Sequence, residues 1–138
     1  IFYILDSLDL DLKNKDILVI GAGPLVGMPV AKILEKRGLK FNVVRRDTKN
    51  KYDLMKKADI IISGAGDPNF IKGDMIKEGV VLIDAGTSES GSSVAGDVDL
   101  KSVKDVAGYV SPVPGGVGPV TVAMLLKNVL KVAKTKHE

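Results

Sequence analysis

The chain has no cysteine and no tryptophan, and its one histidine, His137, sits in a polar tail. Without cysteine there is no disulfide framework and no thiolate metal site, so no metal is expected. Aromatic residues make up 4% of the sequence, too few for a base-stacking platform on single-stranded nucleic acid. No apolar run approaches membrane-spanning length, and no charged-then-apolar leader argues for secretion. A cytoplasmic protein without nucleic-acid or membrane partners is therefore expected. Charge of one sign is also scarce: 20 Lys and Arg stand against 17 Asp and Glu, a net +3. That balance suits a small anionic ligand.

What is present is a chain of 138 residues, 45% of them apolar, enough for one domain with a real core. Its most informative stretch runs from Asp16 to Pro29. A short apolar run, Ile17 to Ile20, meets a glycine-rich turn that leads into a helical pattern from Val26 to about Arg37. Such a junction brings bare backbone N–H groups to the mouth of a sheet and points a helix N-terminus at whatever sits there. Gly21, Gly23 and Gly27 read G-x-G-x-x-x-G, one residue longer than the usual dinucleotide fingerprint. Gly21 would make the tight turn, Gly23 would let a pyrophosphate approach, and Gly27 would seat the helix on the strand. The alternative is an ordinary strand-to-helix turn with no ligand.

Around this stretch the elements follow a regular order. Ile1, Leu5, Leu8 and Leu12 recur at helical spacing, so residues 1–8 read as the end of a helix. Strands are expected at 41–44, 60–63, 80–84 and 109–111, with short helices at 52–58 and 99–105 and an exposed loop or hairpin over 86–96. Pro29 falls in a first helical turn, where its missing N–H costs little, and Gly38 closes that helix. A long helix from 120 to about 134 is expected to carry Val122, Leu125, Leu126, Val129 and Val132 toward the core. Near-continuous apolar strands alternating with helices imply an α/β fold: a Rossmann-like, doubly wound parallel sheet forming a single domain. Ligands then collect at the carboxyl ends of the strands, where every glycine loop falls.

Four further features carry chemistry. The end of the second strand, where an NAD site wants a carboxylate for the ribose hydroxyls, holds Arg45 and Arg46. Two guanidiniums there would attract a 2′-phosphate, which favours NADP with NAD as the alternative; otherwise both are merely solvated. Tyr52 and Lys56 match the Y-x-x-x-K spacing of some reductases, yet they lie beside the adenosine end, so a structural role is expected. Asp97 and Asp99 would lie on opposite faces if extended, which argues against a carboxylate dyad, and Asp84 is expected to bond backbone N–H groups. Pro112 to Thr121 fixes its approach with prolines and then allows unusual backbone through three glycines. A loop so poor in apolar contacts points to binding, with a plain linker as the alternative.

Pro112-Val-Pro-Gly-Gly-Val-Gly-Pro-Val-Thr-Val-Ala-Met-Leu-Leu126 resembles the most recognisable signature of the bifunctional methylenetetrahydrofolate dehydrogenase/methenyltetrahydrofolate cyclohydrolase family, with Val120 where Met is common. Leu25-Val-Gly-Met-Pro29, Phe70-Ile-Lys-Gly-Asp74 and Gly96-Asp-Val98 are similar to other motifs of the family, and the likeness covers essentially the whole chain. The resemblance implies the carboxyl-terminal, NADP-binding half of a homodimeric enzyme of one-carbon folate metabolism. Residues 1–15 would be the end of the inter-domain helix and its linker. The folate substrate and the catalytic lysine and tyrosine would belong to a preceding domain, leaving no catalytic residue in this chain and no turnover by it alone. The opening on Ile1, inside an apolar pattern, fits a fragment.

The cofactor-binding residues expected are Gly21, Ala22, Gly23, Pro24, Leu25 and Val26 in the turn, Arg45 and Arg46, Gly66, Thr87, and Gly115, Gly116 and Thr121. The resemblance implies that Arg46 faces the 2′-phosphate, Thr87 lies near the nicotinamide ribose, and the last loop closes beside nicotinamide and folate. Two departures stand out. The family commonly has Arg-Ser where this chain has Ala22-Gly23, a phosphate contact that Arg45 would have to replace. Its Ile-Asn after the fourth strand is Thr87-Ser88 here. Two other readings remain open from sequence: a non-catalytic nucleotide-binding or dimerisation module, and a different Rossmann dehydrogenase of the shikimate type, against which Pro112–Thr121 speaks.

Overall fold

The computed structural model describes residues 1–90 and 93–135, so His137 lies outside the described residues. Five strands form one parallel sheet: β1 (Ile17–Ile20), β2 (Phe41–Val44), β3 (Ile60–Ser63), β4 (Val81–Asp84) and β7 (Tyr109–Ser111), in the spatial order β2-β1-β3-β4-β7. Every pairing within it is parallel. A two-stranded antiparallel hairpin, β5 (Ser88–Ser90) and β6 (Ser93–Ala95), stands outside this sheet, where the sequence suggested a loop or hairpin.

The strands form because β-branched residues dominate them and both sides are covered. All four residues of β1 and of β3 are buried. Leu18, Ile20, Ile61 and Leu82 face one layer, with Met55 of α3 (Lys51–Lys57) and Val103 of α4 (Leu100–Val103). Ile17, Val19, Ile60, Ile62 and Ile83 face the other, with Leu5 of α1 (Phe2–Ser7) and Val30 and Leu34 of α2 (Gly27–Lys36). Helix α1 is tied down at its polar side too: the Arg37 guanidinium donates to both carboxylate oxygens of Asp6, at 2.6 and 3.0 Å, and holds that carboxyl below its usual range. Helix α2 ends as the glycine signal implied. Gly38 sits at φ 67°, and the N–H groups of Gly38 and Leu39 donate to the carbonyls of Glu35 and Leu34.

Register places the carboxyl ends level. Ile20 pairs with Val44 on one side and Ser63 on the other, and Ser63 pairs with Asp84. From β1 the chain crosses to β2 on one side, then returns to β3 on the other. The crevice between those diverging connections is where a doubly wound sheet takes a ligand.

One expectation fails. Helix α5 (Val117–Thr135) begins earlier than expected because Pro119 sits within its first turn. Its apolar stripe does not reach the core: Val122, Leu125, Leu126, Val129 and Val132 are 55–68% exposed, and only Val117 and Val120 pack against the sheet's cluster. Helical periodicity marks a face that wants cover without saying which body supplies it; among the described residues Tyr3 approaches Met124 and Lys127, and the five residues named stay exposed. Among the described residues, no helix is long and apolar enough to cross a membrane.

The contrast is measurable by urea unfolding. Ile61→Ala, in the middle of β3, is expected to cost about 2–5 kcal/mol. Leu126→Ala on α5 is expected to stay within about 0.5 kcal/mol of the parent. Equal losses would return α5 to the core.

Candidate functional site

Close backbone packing builds the site. Gly21 takes φ 91° and donates its N–H to the Val44 carbonyl at 2.9 Å, so the chain turns as it leaves β1. A Cβ on Gly21 would lie 2.7 Å from the Gly64 carbonyl oxygen, and one on Gly27 would collide with the carbonyl of Gly21. Gly64 in turn meets the Val26 side chain. These three glycines therefore let turn, helix and neighbouring loop touch, as the spacing predicts for Gly21 and Gly27. Gly23 and Gly66 differ: no atom stands within 4 Å of where their side chains would be, and both face a cleft.

That cleft, of about 260 Å³, separates Gly23–Val26 from Gly64–Gly66 and Ala85–Thr87. Helix α2 opens onto the same turn, and its cap residue Val26 supplies no side-chain bond to the first N–H groups. A second cleft, of about 170 Å³, adjoins it through Ala65. Gly21–Ala22 and Arg45–Arg46 line one side of it, and Asp67 and Phe70 the other. Of the residues the sequence reading named, Gly21, Ala22, Gly23, Pro24, Leu25, Val26, Arg45, Arg46, Gly66 and Thr87 line these two adjoining clefts. Gly115, Gly116 and Thr121 line neither cleft. They follow β7 at the sheet's far side. Gly115 takes φ 100°, Gly116 is backed against the Pro112 carbonyl, and the Thr121 hydroxyl donates to the Val117 carbonyl. A side chain at Gly116 would strike its own loop before it met a ligand. A groove of about 690 Å³ between Asn69, Lys72, Val94 and Leu100–Lys101 touches none of the glycine turn.

Charge in the second cleft goes beyond the two arginines. Lys51 also lines it, with Nζ donating to the Arg46 carbonyl at 2.9 Å and lying 5.5 Å from the Phe70 ring centre. Opposite, Asp67 pairs with Arg46 at 3.6 Å. Neither Lys51 nor Asp67 was visible as a site residue, because one opens a helix and the other sits in a loop after β3. Tyr52 is exposed and leans toward Phe70, with centres 6.5 Å apart; it is Lys51, not Lys56, that reaches its ring.

Two fully buried carboxylates hold the loops from behind. Asp97 accepts from the Ser63 hydroxyl at 2.6 Å and from the N–H groups of Ala65 and Asp67 at 2.8 Å. Asp84 accepts from the N–H groups of Gly86, Asp97 and Val98 at 2.9–3.1 Å, the structural role expected of it. Burial pushes the Asp84 carboxyl above its usual range, against the pull of those three donors. Gly86 leaves room for the Asp97 carboxylate, and Gly96 for that of Asp84. Asp99 does neither: it caps α4 by accepting from the N–H groups of Lys101 and Ser102. Asp97 is the member of the set that sequence reasoning missed, because its partners lie 30–34 residues away.

A parallel sheet with a glycine-lined cleft and a cationic cleft at its switch point defines a nucleotide-cofactor domain of the doubly wound class. The family profile described as tetrahydrofolate dehydrogenase/cyclohydrolase, NAD(P)-binding domain, matches residues 1–137, and the chain belongs to that family. The bifunctional protein FolD of Caldanaerobacter subterraneus is 47% identical over 134 residues, which are 97% of this chain and 48% of that protein. Among solved structures, the FolD methylenetetrahydrofolate dehydrogenase/cyclohydrolase of Campylobacter jejuni superposes with a TM-score of 0.92 at 41% identity, over 98% of this chain and 48% of the other. The Trypanosoma brucei enzyme, solved with NADP and an inhibitor, gives 0.90 at 36% identity over the same shares. The chain spans about half the length of these relatives.

The buried tie is open to test. Asp97→Asn keeps the size but turns an N–H donor toward another, and should cost about 2–4 kcal/mol in urea unfolding. Asp99→Asn, at a helix cap where Asn serves as well as Asp, should change stability by less than about 0.5 kcal/mol. Similar losses for both would mean that Asp97 ties nothing down.

Proposed function

We propose that this chain is the cofactor-binding half of a 5,10-methylenetetrahydrofolate dehydrogenase and 5,10-methenyltetrahydrofolate cyclohydrolase, and that it prefers NADP. The observation that carries this is the pairing of the two clefts in a member of this family: one glycine-lined and facing the start of α2, the other cationic. The residues fit the group. Gly23 and Gly66 leave open space where a side chain would obstruct, and the start of α2, which no side chain caps, suits a pyrophosphate. In this reading Gly21 to Val26 hold the diphosphate, Arg45 and Arg46 the 2′-phosphate, and Gly66 and Thr87 the nicotinamide ribose. Gly115, Gly116 and Thr121 would act from the far side of the sheet, where folate and nicotinamide meet.

When bound, NADP supplies the hydride acceptor for the folate one-carbon unit. The chain's own residues bind and orient it; the domain that precedes this one in the relatives would bring the folate and the catalytic lysine and tyrosine. The exposed stripe of α5 supports such an arrangement, since an apolar helix face of this extent calls for cover. Residues 1–15 would be the end of the connecting helix and its linker, and the chain alone would turn over neither reaction. A homodimer and a cytoplasmic location belong to the same proposal and rest on the family likeness.

Calorimetric titration of NADP and NAD tests the cofactor placement. Arg46→Ala is expected to weaken NADP by about tenfold, the scale of one charge-assisted phosphate contact, and to leave NAD nearly unchanged. Equal affinities for the two cofactors, untouched by the substitution, would overturn it.

A further inference from the structure

We propose that Asp67 is a specificity-determining residue of the cofactor crevice, one that opposes the arginines and keeps NAD usable. The inference rests on the cofactor placement just given. Where β2 ends, the usual position for an acid that binds the ribose hydroxyls, the sequence has Arg45 and Arg46; Asp47 follows one or two residues late, and this was the ground for expecting NADP. The structure delivers an acid to the same cleft from the next loop. Asp67 lines it opposite Arg45 and Arg46, with its carboxylate 3.6 Å from the Arg46 guanidinium.

Its position is not incidental to a floppy loop. The Asp67 N–H donates at 2.8 Å to Asp97, which is fully buried and also holds Ala65 and Ser63. The Asp67 backbone is thus anchored to the core while its side chain stays 44% exposed in the cleft. At 3.6 Å the pair with Arg46 is longer than a good hydrogen bond, and the Arg46 side chain is 87% exposed. Such a pair is easily given up, so Arg46 is free to turn toward a ligand.

The consequences differ for the two cofactors. A 2′-phosphate must take Arg46 from Asp67 and then sit beside a fixed negative charge, so the acid works against it. A 2′-hydroxyl finds in Asp67 the acceptor it needs, while Arg46 keeps its partner. Arg45, Arg46 and Lys51 still outnumber the single acid in this cleft, so the phosphate remains preferred, by a narrower margin than two arginines alone would give.

The test uses the whole chain with two probes that lack the nicotinamide and differ only in the phosphate: 2′-phospho-ADP-ribose and ADP-ribose. In Asp67→Asn, 2′-phospho-ADP-ribose should bind about three- to tenfold tighter at low salt, the gain shrinking as salt screens it. ADP-ribose should not gain, and its affinity should hold or fall. Asp67→Ser, which lacks both charge and reach, should move the phosphorylated probe in the same direction. Parallel shifts of both probes, or no shift in either variant, would overturn the proposal. Arg46→Ala separates the two layers of the claim. If it changes the ratio of the probes while Asp67→Asn does not, the cofactor placement stands and the role of Asp67 falls. If Arg46→Ala leaves the ratio alone, the placement itself fails, and the role of Asp67 with it.

Discussion

Three stretches of backbone meet at the point where β1 gives way to α2, and the rest of the crevice is laid out from that contact. The turn at Gly21 touches the loop after β3 at Gly64, and the start of α2 touches the turn at Gly27. No side chain fits at any of the three. Because they touch, the start of α2, which no side chain caps, faces one side of a cleft instead of open solvent. Because Gly64 follows Ser63, which pairs with Ile20, the loop after β3 forms the opposite wall. The position of the glycine-lined cleft is therefore a consequence of strand register and of three missing side chains.

Much of this was legible in the chain. A run such as Ile60 to Ile62, fully buried and β-branched, has a single reading once its length is set by Asp59 and Gly64. Gly21 and Gly27 announced themselves by spacing, and Gly38 by its place after an amphipathic helix. Arg45 and Arg46 were legible because the second strand is short and ends where they stand. The family likeness came chiefly from Pro112–Leu126, a stretch whose Gly115, Gly116 and Thr121 line neither cleft.

What was not legible depended on contacts made across long stretches of chain. Asp97 binds groups on the far side of β4, and nothing near it in sequence reveals them. Asp67 and Lys51 enter the cationic cleft from different elements, so a search at the end of β2 alone misses both. Helix α5 shows the opposite limit. Its stripe is plain in the sequence, yet the stripe records a demand for cover and not the identity of what covers it. The same residues would read alike in a buried helix and in one that waits for a neighbouring body.

The crevice can be interrogated directly by following the backbone amides of a nitrogen-labelled chain as NADP is added. The amides of Gly21 to Gly23, Leu25, Val26, Ala65 to Asp67 and Arg45 to Lys51 should shift together along one titration curve, with the amides of α5 beyond its first turn unmoved. Saturable shifts confined to the groove at Lys72 and Lys101, or to the stripe of α5, would place the ligand elsewhere and contradict the assignment of this crevice to the cofactor.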